Sequence, residues 1–346
     1  MKKMMILMVA AALAMAPATA NVTATATAKA PAKATAAATA KAPATTATAL
    51  ATEIAPATTE TTPATAPAVT RETRTYDYRD FDGVEAGWIY KVEVAQARSY
   101  SVRVEAPDYV MPYIKVSVQG GRLLLDISSL PRDIRRLIER GNHAVNAYIT
   151  MPELSEVRLS GAARMTAKGA FTPGDKPFHI HMSGAARLEG LDISARKGEI
   201  DASGAAYIHL AATFISLDAD LSSAVNCVLE GNVGDASVEL SGASFLNLRG
   251  ELGSADVRAS GASGFTLEGP ADALHADASG AAKIYAEKAP VREAEIELSG
   301  ASVCRIEAAE RLAVDLDGAS RCRYRGPERL LLDVRSVARG SSLTRL

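Results

Sequence analysis

The chain has 346 residues, a formal net charge of -2 and a sequence pI near 6.3, with 48% hydrophobic but only 5% aromatic residues. That balance excludes the basic character expected of a nucleic-acid binder, and 3 cysteines are too few for a disulfide framework. After the N-terminus no segment reaches the roughly 18 apolar residues of a membrane helix.

Residues 1–20 read as a secretory signal: Lys2 and Lys3, an apolar run from Met4 to about Met15, then small residues ending in Ala18-Thr19-Ala20. No Cys follows it, so a lipid anchor is not expected. Residues 21–70 are almost wholly Ala, Thr, Pro and Lys. Such a composition cannot bury enough apolar surface to offset chain entropy and predicts a disordered stalk, a passive tether whose Thr residues are open to glycosylation. The expected location is outside the cytoplasm, in the periplasm, on the outer-membrane surface or in the medium.

Alternating patterns predict strands at 90–94, 101–105, 114–118, 123–127 and 147–150. Between the last two, Pro131 and Gly141 bracket a short helix over 132–140, whose Ile134, Leu137 and Ile138 are expected to cover an open end of the fold.

From Ser160 a tetrapeptide recurs. Ser-Gly-Ala-Ala or Ser-Gly-Ala-Ser begins at Ser160, Ser183, Ser203, Ser241, Ser260, Ser279 and Ser299, with worn copies at Ser222 and Asp317, in steps of 18 to 23 residues. Self-similarity at that period is the mark of a solenoid. Apolar residues fill the positions one and three before the Ser and five after it in every copy, for example Leu159, Val157 and Met165 in the first. Alternate residues of a strand face opposite ways, so each copy supplies two short strands with a shared apolar interior, joined at a Gly corner. A second turn, often at a Gly such as Gly231, Gly250 or Gly269, closes the coil. The expected fold is all-β: a right-handed parallel β-helix over 71–346, with about 9–10 coils stacked some 4.8 Å apart. Cys227, Cys304 and Cys322 share the buried column five after the corner, which predicts core packing, with Cys304 and Cys322 near enough for a disulfide if oxidised.

The run Phe81-Asp82-Gly83-Val84-Glu85-Ala86-Gly87, followed by Val92-Glu93-Val94, Ser101-Val102-Arg103-Val104-Glu105-Ala106, Met151-Pro152-Glu153-Leu154 and Val157-Arg158-Leu159-Ser160-Gly161-Ala162, resembles the putative auto-transporter adhesin, head GIN domain family. The resemblance covers about 75–340 and implies an exported bacterial β-helix, of the Bacteroidetes, with no catalytic residues to carry over. The helical insert and the stalk depart from the family pattern.

Outward columns hold what chemistry there is. Residues two and four before the corner are strongly acidic, and Glu199, Asp201, Asp218 and Asp220 are the candidates for a weak Ca²⁺ site, against a plain solvated face that resists sideways sheet pairing. His179 and His181, two apart, have a chelating spacing but no third ligand nearby, which favours a surface pair. Tyr207, Phe245 and Tyr285 place rings on a wet face, a pattern suited to sugars or a protein surface. The stacked corner serines lack a His base and make no nucleophile, so no catalytic residue and no cofactor is assigned. The expected function is a non-catalytic surface or periplasmic protein that binds a macromolecule, a glycan or an envelope or host protein. The alternatives are a lyase-like polysaccharide enzyme and a structural spacer. Self-association of the rods is left open.

Overall fold

Apolar residues alternating on both sides of a glycine corner cannot be buried by one coil alone, and stacking coil upon coil hides them all. The computed structural model describes residues 70–140 and 144–346; the expected signal, and the expected stalk up to residue 69, lie outside them. The result is a parallel β-solenoid of about ten turns. Strands that precede the corner form one sheet and strands that follow it form another, both parallel and in register: Val157, Ile180, Ile200 and Ala219 stack in the first, Met165, Leu188, Ile208 and Cys227 in the second. Every residue of the three apolar columns from Val157 to Cys322 is buried.

The second turn varies. At Gly231, Gly250 and Gly269 the strands stay separate, as in Asn226–Glu230 and Val233–Leu240. Elsewhere two expected strands merge into one bent strand, as in Arg187–Ala202, Tyr207–Leu221, Lys283–Leu298 and Val303–Leu316.

The corner is set by backbone geometry. Its glycines, from Gly161 to Gly318, hold φ between 66° and 80°, a region closed to most side chains. A Cβ on Gly261 would also lie only 2.7 Å from the carbonyl oxygen of Gly242 one coil below. That carbonyl accepts the Ala262 amide at 2.7 Å, so the hydrogen-bond ladder continues around the corner. Ser223 occupies the same position in a worn copy with φ 72°.

The fourth residue of the motif points inward. Ser244, Ser263, Ser302 and Ser320 are all fully buried there, where other copies have Ala or Val. The Ser302 hydroxyl lies 2.7 Å from the Ser299 carbonyl oxygen and 3.1 Å from that of Ala278. The Ser320 hydroxyl has no hydrogen-bond partner among the described residues.

The solenoid begins earlier than the tetrapeptide does. Gly83–Ala86 pairs with Glu156–Leu159, and Tyr90–Gln96 pairs with Arg164–Lys168, which makes 83–96 the coil next to the first Ser-Gly-Ala coil. Gly87 and Trp88 form its corner, with Trp88 at φ 60° in the glycine column. The intervening 97–155 is an excursion that closes this end. Arg122–Ile127 lies parallel on Gly83–Ala86 and Val145–Met151 on Tyr90–Gln96, while Ile114–Gln119, Ser101–Pro107 and Arg71–Tyr76 add antiparallel outer strands. Tyr90 is sealed in this cap and donates its hydroxyl to the Asp126 carbonyl at 3.2 Å. Helix Arg132–Arg140 forms as expected. Ile138 is buried and Ile134 half-buried, but Leu137 is 52% exposed: Ile134 and Ile138, four apart, define the inward stripe, and Leu137 falls outside it.

Cys304 and Cys322 are register partners, and all three cysteines are buried free thiols. Burial pushes the Cys227 thiol up to about 12; its hydrogen bond to Cys322, together with burial, raises that of Cys304.

Candidate functional site

With the interior filled by packed side chains, recognition falls to the outward columns. On the sheet after the corner, the column four past it reads Lys91, Arg164, Arg187, Tyr207, Asn226, Phe245, Gly264, Lys283, Val303 and Arg321. Strand alternation aims each of these side chains away from the core. Phe245 is 42% exposed, and its ring leans over Gly264, where a Cβ would meet Phe245 Cδ1 at 2.8 Å and Cε1 at 3.0 Å. Gly264 is buried, and its missing side chain leaves the space that the edge of that ring fills.

Tyr207 stands two coils away in the same column, separated by Asn226, with the Arg187 guanidinium 4.6 Å from its ring centroid. Tyr285 belongs to the next outward column, between Thr266 and Arg305, and the Arg305 guanidinium lies 5.5 Å from its ring. The structure therefore sets Tyr207 and Phe245 in one line and Tyr285 beside that line. Cation–π contact of this kind holds each tyrosine ring in place.

The sheet before the corner is acidic. Two before the corner stand Glu85, Asp201, Asp220, Glu239, Asp277, Glu297 and Asp315, against Arg158 and Arg258. Burial pushes the Asp220 carboxyl above its usual range, helped by the charges of Glu239, Asp201 and Asp218. Glu199 is held below the usual range, chiefly by its hydrogen bond with Lys197 and further by His179. His179 Nδ1 lies 2.7 Å from Glu199 and His181 Nδ1 lies 3.0 Å from Asp201, each histidine reaching the carboxylate of the next coil, with the two rings stacked 6.2 Å apart. Glu199 is the register partner of Asp218 and Asp201 of Asp220. Among the described residues no group of His, Cys, Asp or Glu is arranged to hold a metal ion.

A shallow groove runs between this acidic column and the corner serines in two stretches of about 380 and 400 Å³, which share Asp220 and Ser222. His181, Asp201 and Ser183 line the first stretch, yet no hydrogen bond joins the His181 ring to a serine among the described residues. A third hollow of about 270 Å³ lies at the cap, lined by Trp88, Asp126 and Arg135.

Two features escaped the sequence reading. Lys91 belongs to the basic column only because 83–96 is a coil, which the Gly87-Trp88 corner conceals. Gly264 as a cradle was legible in principle: a glycine standing in an outward column directly after an aromatic one period earlier.

No helix among the described residues is long and apolar enough to cross a membrane. No curated protein matches the chain in sequence. In fold it is similar to a putative adhesin from Parabacteroides distasonis, 15% identical, with 81% of this chain and 98% of that one covered and a TM-score of 0.47. It is similar to a putative adhesin from Parabacteroides merdae at 16% identity, 80% and 96% coverage and a TM-score of 0.46. A putative lipid binding protein from P. distasonis matches at 16% identity, 80% and 96% coverage and a TM-score of 0.40. The family model described as putative auto-transporter adhesin, head GIN domain matches residues 80–250 and 217–327, from the Gly87-Trp88 coil to the last Cys-bearing strand. The chain belongs to that family.

Proposed function

We propose that the protein is an exported, non-catalytic adhesin that binds a macromolecular partner, a glycan or a surface protein, through the sheet after the corner. The observation that carries this reading is the exposed Phe245 ring, seated against Gly264 and in line with Tyr207. An exposed ring on a sheet suits contact with a sugar or an apolar surface. The family's description as an adhesin agrees with it. In this reading residues 1–20 are removed on export, 21–70 act as a stalk, and 71–346 form a single β-helix domain, right-handed as crossovers between parallel strands nearly always are. The partner is met in the periplasm, on the outer-membrane surface or in the medium. Glu199, Asp201, Asp218 and Asp220 serve as a charged patch that resists sideways sheet pairing rather than as a Ca²⁺ site.

The test is a glycan array and whole-cell binding assay of the full chain beside the triple variant Tyr207→Ala, Phe245→Ala, Tyr285→Ala. Binding by the parent and its loss in the variant is expected. Undiminished binding by the variant removes this face from the reading, and release of unsaturated sugars from uronate polymers replaces an adhesin with a lyase.

A further inference from the structure

One outward column of the sheet after the corner carries charge opposite to that of the sheet before it. The column that holds Tyr207 and Phe245 presents Lys91, Arg164, Arg187, Lys283 and Arg321 and no carboxylate among the described residues, while the face before the corner is dominated by carboxylates. Lys91, Arg164, Lys283 and Arg321 are exposed, and none forms an ion pair among the described residues. Elsewhere on the fold, cations are commonly matched by a neighbouring acid, as Arg249 is with Glu230 at 3.0 Å and Arg258 with Asp256 at 3.4 Å. Arg187 is paired with Glu189 at 2.9 Å, so the line keeps four unpaired cations, beside the Tyr207 and Phe245 rings.

We infer that the ligand of this face is an anionic linear glycan. This rests on the reading of the face as a binding surface and names the chemistry that it takes. The line runs over ten successive coils, about 43 Å at the usual strand spacing, and is straight because the register between coils holds along it. Cations lie at both ends and neutral or aromatic residues between them. A sugar polymer matches this order: its acid groups meet Lys91 and Arg164 at one end and Lys283 and Arg321 at the other, and its ring faces stack on Phe245 and Tyr207 between. One pyranose ring is comparable in length to one coil rise, so successive sugars meet successive coils. The carboxylates of the other sheet repel the same polymer, which confines it to one side.

The experiment measures binding of the full chain to polygalacturonate and to dextran, an acidic and a neutral glycan, at low and high salt, with the variant Lys91→Gln, Arg164→Gln, Lys283→Gln, Arg321→Gln alongside. All four positions are exposed, so the fold survives, and a thermal melt checks it. Binding to polygalacturonate that weakens with salt, and falls about tenfold or more in the variant, is expected for a loss of roughly 1.4 kcal/mol or more. Asp277→Asn, on the opposite face, leaves it unchanged. Equal binding of dextran overturns the inference while the adhesin reading stands. Binding of neither glycan, with whole cells still bound through Tyr207 and Phe245, also overturns the inference alone; no binding of any kind removes both. Equal affinity for single-stranded DNA shows a face that reads charge only and overturns the glycan assignment. Salt-sensitive dimerisation abolished by the same variant assigns the face to the acidic sheet of a second copy instead.

Discussion

Substituting Gly261 by Ala tests the corner directly. Gly261 holds φ 72°, and the new Cβ would stand 2.7 Å from the Gly242 carbonyl oxygen and 3.2 Å from its nitrogen. An L-residue in that left-handed conformation costs roughly 1–2 kcal/mol. The carbonyl cannot retreat without stretching the 2.7 Å bond that it accepts from Ala262, a further loss of about 1 kcal/mol. The expected destabilisation is about 3 kcal/mol, against typical totals of about 5–15 kcal/mol for a whole domain. Ser223→Gly is the mirror experiment: the serine already sits at φ 72°, and relieving it stabilises the chain by about 1 kcal/mol. Urea titration followed by circular dichroism reads both as shifts of the midpoint at constant slope. Since repeat arrays can unfold in parts, exchange of the Ala262 amide locates the effect. A neutral Gly261→Ala, or a destabilising Ser223→Gly, would refute the argument that φ and carbonyl spacing select glycine here.

Ser302→Ala removes a satisfied buried hydroxyl and lowers stability by about 1 kcal/mol, whereas Ser320→Ala removes an unsatisfied one and is neutral or stabilising by a similar amount; urea midpoints of the two variants should move apart. Thiol reagents at neutral pH should label no cysteine in the native protein and all three in urea, since Cys227, Cys304 and Cys322 are buried; native labelling at Cys227 would contradict its burial and raised pKa. Asp220 has a raised pKa, from burial and then from Glu239, Asp201 and Asp218, so its ionised form opposes folding at neutral pH. Asp220→Asn should therefore raise the melting temperature at pH 7, and the gain should shrink as the pH falls through the raised pKa and the parent carboxyl takes up its proton. Glu199 has the opposite sign: its lowered pKa, due first to Lys197 and then also to His179, contributes stability above the unfolded-state pKa that is lost as the pH falls through the folded one. In Glu199→Gln the melting temperature should fall at pH 7 and converge with that of the parent in acid.

Where local pattern and long-range packing agree, the sequence was legible. The three apolar columns, the helix over 132–140 and the buried cysteines all follow from period and polarity. The coil at 83–96 did not, because its corner is Gly87-Trp88 and its stacking partner lies beyond the excursion over 97–155, which no periodicity can bridge. Merged strands such as Tyr207–Leu221 escaped for a different reason: a smooth bend without glycine leaves no turn signal. At the candidate site, Tyr207 and Phe245 were visible as rings in a polar column, but the way Phe245 lies depends on Gly264 one coil away. The inward serines were visible as an Ala-to-Ser alternation, and their partners are backbone carbonyls that no side-chain pattern records.

Register that holds around the corner has a mechanical meaning. A tensile load between the chain ends meets the inter-coil hydrogen bonds one row at a time, as a zipper, rather than all together in shear. Each coil of about 19 residues that peels away releases roughly 65 Å of extended chain while shortening the stack by about 4.8 Å. For a protein holding a partner under flow, that is a way of lengthening under tension before the bond to the partner must break, and single-molecule pulling should show it as force peaks spaced at multiples of one coil.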